Sequence, residues 1–271
     1  MAGRCFPALF AVIFFSVIPG ANAGPSGGLY LQVKGYQWEE FEGGERLLEE
    51  SGPLFGIGLR LEPDPLTFSA QGKIEVYAGE VDYDGQTISG DPLNDKTAYS
   101  GGIGEIDATV PAWVSKAKSR SFLVFAGAGG HIWQRDLGQE NEDIGYTEDW
   151  FMVYGRVGVG FYLMQTGMVR GYFSSGVKIP FFTQNQVTVD TGTDIQDVDV
   201  EPDARPGPFM ELGWRWKKVF AVAFYEYTKL EASEPETVIV TIPEHSGSLA
   251  YRLYQPESEV HILGVNVGMY F

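Results

Sequence analysis

The chain has 271 residues, a formal charge of −17 at neutral pH, 35 glycines, 18 Phe, 14 Tyr, 6 Trp and a single cysteine. So acidic a chain lacks the basic face that nucleic acid requires, and as a soluble protein it would not be drawn to anionic lipid. Cys5 is the lone thiol and lies in a segment expected to be removed, which excludes disulfides, a thiol nucleophile and a cysteine-held metal in the remainder.

Residues 1–23 have the pattern of a secretory signal. Arg4 is its positive end, Phe6 to Ile18 its apolar run, Pro19-Gly20 its helix breaker and Ala21-Asn22-Ala23 its cleavage site. The run is short of the ~20 apolar residues that span a bilayer as a helix. Cys5 precedes it, so lipid attachment of the lipoprotein kind is not expected. Residues 24–271 are then one domain of charge −18, since cleavage removes Arg4. No later segment is long and apolar enough for a spanning helix, so any membrane embedding must be by a closed barrel.

Ten strand-like runs follow: Leu29–Trp38, Pro53–Glu62, Thr67–Gly79, Thr97–Val114, Ser121–Trp133, Trp150–Leu163, Gly167–Ile179, Gly207–Lys217, Val219–Leu230 and Val260–Phe271. Most alternate with period two. The second sets Phe55, Ile57, Leu59 and Leu61 against Gly56, Gly58, Arg60 and Glu62. The third sets Phe68, Ala70, Gly72, Ile74 and Val76 against Ser69, Gln71, Lys73, Glu75 and Tyr77. The sixth sets Phe151, Val153, Val157, Val159 and Phe161 against Tyr154, Arg156 and Gly158. The seventh sets Val169, Phe173, Val177 and Ile179 against Arg170, Ser174 and Lys178. The fourth and ninth have no clear phase. Globular strands average ~5–6 residues, whereas a tilted strand needs ~9–11 to cross a bilayer, and these runs match the second length. A soluble β-sandwich would also alternate, but with shorter strands.

The connections alternate too. Pro63–Leu66, Ser115–Arg120, Met164–Thr166 and Lys218 are short. Glu39–Gly52, Glu80–Lys96, Gln134–Asp149, Pro180–Pro206 and Glu231–Glu259 are long, which leaves both termini on the short-turn side. Thr237–Pro243 and Leu249–Tyr254 would raise the count to twelve. Pro243 and the polar turn from His245 to Ser248 instead suggest a hairpin rising from the last connection.

The final strand carries the most specific pattern. Leu263, Val265, Val267, Met269 and Phe271 alternate with smaller or more polar residues up to a terminal aromatic. With the long runs and the alternating connections, this resembles the bacterial outer-membrane β-barrels, over the whole chain after the signal. The resemblance implies an all-β, antiparallel up-and-down transmembrane barrel of ten strands. It also implies export to the outer membrane, short periplasmic turns, long external loops, and a C-terminal strand read by the barrel assembly machinery. Lipid and lipopolysaccharide are the implied surroundings; oligomeric state is left open.

All six tryptophans fall at strand ends: Trp38, Trp133 and Trp150 beside long connections, Trp113, Trp214 and Trp216 beside short ones. They are expected to form the two aromatic belts at the membrane surfaces. The long connections hold 29 of the 36 acidic residues and five basic ones, Arg46, Lys96, Arg135, Arg205 and Arg252. The plain expectation is solubility. A sharper one is Ca2+ or Mg2+ held by Asp190, Asp194, Asp197 and Asp199, although their spacing is not that of an EF-hand.

Charges on the strands must face inward, since a charge in mid-bilayer costs ~2–4 kcal/mol. The expected lumen set is Lys34, Arg60, Lys73, Glu75, Arg156, Arg170, Lys178, Glu211 and Arg215, with Glu62, Glu105, Asp107 and Glu226. Barrels of eight strands are filled by side chains and those of sixteen or more hold channels. Ten lies near the filled end, so an ion-pair network competes with a narrow pore for small solutes. No catalytic residues are expected. The ten-stranded omptin proteases resemble this plan, but His131 with Asp136 and Asp149, His245 and His261 do not reproduce their Asp–His signatures. Gly155, Gly158 and Gly160 lie mid-strand and open no helix, so they are no nucleotide motif.

Overall fold

The computed structural model describes residues 27–86, 92–137, 145–165, 168–190, 195–242 and 247–271, which places the signal segment 1–23 outside the described residues. The strands are β1 Gly27–Glu42, β2 Glu45–Leu61, β3 Ser69–Gln86, β4 Pro92–Val114, β5 Arg120–Leu137, β6 Gly145–Gln165 and β7 Met168–Asp190. They continue with β8 Ile195–Val200, β9 Ala204–Arg205, β10 Gly207–Trp216, β11 Val219–Leu230, β12 Glu236–Ile242, β13 Gly247–Leu253 and β14 Glu257–Tyr270.

Ten of them close a ring of antiparallel pairs. β1 to β7 pair in succession, β7 pairs β10, β10 pairs β11, β11 pairs β14, and β14 returns to β1. The barrel is therefore ten-stranded. β12 and β13 form a separate hairpin outside it, while β8 and β9 are short strands lying along β7 and β11.

Its polarity is inverted relative to a soluble protein. Leu31, Phe55, Val76, Phe173, Leu212, Leu263 and Val267 point outward and are exposed. Lys34, Glu75, Glu105, Asp107 and Arg156 are buried within. On β3 the outward face is apolar from Phe68 to Ala78 and acidic at Glu80, Asp82 and Asp84. Roughly ten residue steps of a tilted strand rise about 25 Å, the height of a barrel's lipid-facing band. No helix among the described residues is long and apolar enough to cross a membrane, so the strands do the spanning.

Several connections expected as loops are strand. β4 and β7 have 23 residues each and β6 has 21. The segment expected as the loop Glu39–Gly52 is the end of β1 and the start of β2, joined at Gly43-Gly44. Both glycines have positive φ, 59° and 87°, as the two central residues of a tight hairpin turn require. The barrel wall thus continues well beyond the apolar band at this end.

One strand phase differs from expectation. Val169 is buried, on the lumen side, not with outward Phe173. The register of β6 against β7 shifts at Leu163/Met164, where Arg170 is the extra residue of a bulge. Arg170 therefore cannot be grouped with Lys178 on strand parity.

Candidate functional site

Among the described residues, chemistry-bearing side chains converge in the interior. In the apolar band it holds six basic residues, Lys34, Arg60, Lys73, Arg156, Lys178 and Arg215, and six acidic ones, Glu62, Glu75, Glu105, Asp107, Glu211 and Glu226. Arg60 donates to Glu211 at 3.1 Å, and the Tyr172 hydroxyl donates to the same carboxylate at 3.0 Å. Arg215 lies 3.5 Å from Glu62, which also accepts from Tyr270. Lys73 and Lys178 share Glu226, at 3.2 and 2.7 Å.

Glu105 is the hub. It meets Lys178 at 2.9 Å and Lys73 at 3.6 Å, pairs with Arg156, and accepts from the Tyr154 hydroxyl at 2.7 Å. Arg156 also lies 3.7 Å from Asp107. Glu75 accepts from Tyr30 and Gln32 at 2.8 and 3.2 Å, and the Lys34 ammonium sits 3.1 Å above the Tyr77 ring. Inward glycines make room for these aromatics: a Cβ at Gly129 would lie 2.7 Å from the Tyr154 ring.

A second cluster lies above the band, inside the extended wall. Arg135 of β5 is 1 % exposed and is surrounded by Glu40 of β1, Glu50 of β2 and Glu148 of β6. Its Nε and Nη2 reach Glu50 at 2.9–3.1 Å, and its Nη1 reaches Glu40 at 3.0 Å and Glu148 at 3.1 Å. Each carboxylate has further donors. Trp38 bonds Glu40 at 2.9 Å, Trp150 bonds Glu148 at 3.0 Å, Thr97 bonds Glu50 at 2.7 Å, and Tyr99 also bonds Glu50. Gln255, just before β14, donates to Glu40 at 3.3 Å and to Ser258 at 3.0 Å and accepts from Asn185 of β7.

One guanidinium against three carboxylates leaves the cluster short of positive charge. Burial pushes the Glu40 carboxyl up from its ordinary range; Glu148 and Glu50 push the same way and Arg135 opposes them. Burial alone would lower Arg135, but Glu148 and Glu50 hold it well above its usual value. Trp133 stacks on Trp150 at 5.1 Å and 6°, and Trp38 meets Trp150 edge-on at 5.4 Å.

These contacts correct two expectations. Trp38, Trp133 and Trp150 are buried within the barrel and are not part of an outer belt. Their neighbours in strand parity, Lys34, Arg135 and Arg156, all face inward, and that parity was the available signal. Trp113, Trp214 and Trp216 do face outward, 51–64 % exposed, at the short-turn end. Arg135, Glu40, Glu50 and Glu148, expected in the long connections, are all buried on strands.

The remaining candidates are dispersed. Asp194 lies outside the described residues, Asp190 ends β7, and Asp197 and Asp199 are exposed on β8. Pairing of β8 along β7 sets Asp197 and Asp199 on the outer face of a strand, and Asp197 accepts from Thr188 at 2.8 Å. Among the described residues no group of three or more His, Cys, Asp or Glu could hold a metal ion. His131 faces inward, 2.7 Å from the Tyr77 hydroxyl, while Asp136 and Asp149 lie on the other face of the wall. His261 is outward against Tyr225 and Tyr227, and His245 lies outside the described residues. Leu263, Val265, Val267 and Met269 of β14 are exposed on its outer face, and Phe271, just after it, is exposed too, its N–H bonded to Gly27 O.

A closed ten-stranded barrel with an apolar outside and a charged inside is an integral membrane barrel of the bacterial outer-membrane type. No protein-family model matches the chain, and no curated protein matches it. Among solved structures it is similar to the transport unit of the autotransporter AIDA-I from Escherichia coli, at 10 % identity and TM-score 0.38 over 90 % of each chain. It is similar to the Ralstonia pickettii toluene transporter TbuX, at 8 % identity and TM-score 0.36 over 93 % of this chain and 90 % of that one. It is also similar to Neisserial surface protein A, at 8 % identity and TM-score 0.30 over 90 % of this chain and 97 % of that one.

Proposed function

We propose that this protein is a sealed outer-membrane barrel with a structural or surface-interaction role, its lumen filled by ion pairs and its extended acidic end presented outside the cell. The observation that carries this is the charge balance of the interior: the six cations of the apolar band face six anions, and long side chains from both sides meet across the centre. A water-filled pore would leave such charges hydrated and unpaired. The outward face above the band carries Glu39, Glu49, Glu80, Asp82, Asp84, Asp136, Asp197 and Asp199, which suits contact with lipopolysaccharide through bridging divalent cations, or with a cationic partner.

Both termini then lie in the periplasm, where the assembly machinery reads the last strand. Single-channel recording on refolded protein in planar bilayers tests the proposal, with the expected result of no steady conductance. Well-resolved channels in the parent protein would overturn it in favour of a narrow porin-like channel. Deleting Phe271 tests the assembly role; unchanged membrane levels would remove it.

A further inference from the structure

The short-turn end of the barrel carries a set of basic residues that the lumen network does not use. Lys116, Lys118 and Arg120 lie in and beside the β4–β5 turn, and Lys217-Lys218 form the whole of the β10–β11 turn. All five are exposed. None is in an ion pair among the described residues. Arg46, Lys96, Arg205 and Lys229, outside the lumen at the other end, each face a carboxylate.

The backbone at these turns adds a second observation. Lys118 and Lys217 have φ of 50° and 54°, the only non-glycine residues at positive φ among those described. Glycine takes that conformation with no steric penalty and lysine does not, so the turn geometry alone gives no reason for lysine there. The third observation is position. Trp113, Trp214 and Trp216 stand exposed on the outer face next to these turns, and the Lys217 ammonium lies 5.2 Å from the Trp216 ring. Exposed indoles at the edge of an apolar band lie at headgroup level, so the unpaired ammonium groups are held at the depth of lipid phosphates.

We infer that this rim is a docking surface for anionic phospholipid headgroups. The two turns stand nearly opposite each other on the ring, so headgroups bound at both fix the depth and tilt of the barrel. The inference rests on the membrane reading of the fold and adds a lipid preference to it.

The test uses full-length protein refolded into phosphatidylcholine vesicles with a minor fraction of phosphatidylglycerol. Energy transfer from the tryptophans to acceptor-labelled phosphatidylglycerol is compared with transfer to the same label on phosphatidylcholine. The parent should favour the anionic lipid, by about fivefold for each basic residue in contact, and salt should weaken the preference. A variant with Lys118→Gly, Lys217→Gly, Lys116→Gln and Lys218→Gln should keep no more than the share of Arg120. The same variant should be at least as resistant to urea as the parent in pure phosphatidylcholine, because glycine relieves the positive-φ turns. An undiminished preference in the variant overturns the inference. So does a loss of stability in pure phosphatidylcholine, which would make the lysines structural. Binding of soluble peptidoglycan fragments without lipid preference would assign the rim to an acidic glycan and overturn it too. Failure of the parent to insert into either vesicle would instead strike the membrane reading itself.

Discussion

Replacing Arg135 by Ala is the sharpest perturbation the structure offers. It removes the only cation, among the described residues, that pairs with Glu40, Glu50 and Glu148, all at least nine-tenths buried. Loss of one partner from a buried ion pair costs ~3–5 kcal/mol, because the remaining charge has no compensation. Glu40, whose carboxyl burial already pushes up, has an escape, which is to take up a proton. For a carboxyl charged at both values, going from pH 7 to pH 5 makes protonation easier by about 2.7 kcal/mol. Donors from Trp38, Trp150, Thr97 and Tyr99 remain and soften the loss. The variant should therefore lose about 3–5 kcal/mol at pH 7 and measurably less at pH 5. Urea unfolding of the refolded chain in vesicles at both pH values measures this, with folded protein scored by gel mobility before boiling. Combining Arg135→Met with Glu40→Gln, Glu50→Gln and Glu148→Gln should recover most of the loss, since no uncompensated charge is left. A loss under about 1 kcal/mol at pH 7, or one equal at the two pH values, would refute the reasoning.

Three further outcomes follow from the same geometry. Glu40 has a raised carboxyl in the folded state, so its contribution is fully present below the ordinary value of 4.5 and is lost as pH rises through the folded value. Glu40→Gln should thus flatten the gain in stability that the parent shows on acidification from neutral pH, and should melt no lower than the parent at neutral pH; a lower melting temperature there would contradict it. Val157→Arg places a charge on an outward position that is 46 % exposed to the apolar band and should cost ~2–4 kcal/mol in vesicles, whereas Arg156→Lys, inside, should cost less; equal costs would show the strand phase to be wrong. Arg156→Ala with Lys178→Ala strips two cations from Glu105, and should lower stability by ~3–5 kcal/mol or more while raising bilayer conductance from its low parental level; unchanged stability would mean the network does not hold the barrel together.

The strand count, the outer hairpin and most of the lumen charges were legible because a lipid-facing strand in the bilayer obeys a simple rule, apolar outward and polar inward. β4 escaped that rule in part: Gly102 and Gly104 face outward while Ile103 is buried inside. Glycine on the lipid face and isoleucine in the lumen reverse the expected contrast over several residues, so no phase could be assigned. At Arg170 alternation carries no assignment for another reason, since a bulge breaks parity and leaves no mark in composition.

The Arg135 cluster was missed because the rule itself inverts along a single strand. Above the membrane the wall faces water outside and packs a core within, so apolar residues move to the inner face. On β3 the apolar set occupies even positions through Phe68, Ile74 and Val76, then passes to odd positions at Val81 and Tyr83, while Glu80, Asp82 and Asp84 turn to water. On β1 it passes from Leu29, Leu31 and Val33, which are exposed, to Tyr36 and Trp38, which are buried. A change of parity weakens the strand pattern when one period is sought throughout: the expected run on β3 stops at Gly79, just before it, that on β1 at Trp38, soon after it, and the rest is assigned to a connection. In this barrel the change occurs with the backbone ladder unbroken, β1 pairing with β14 from Gly28 through Phe41. The parity switch therefore marks the water surface of the membrane and not the end of the strand. It places that surface between Val33 and Tyr36 on β1 and between Ala78 and Val81 on β3, with the Arg135 cluster on the aqueous side.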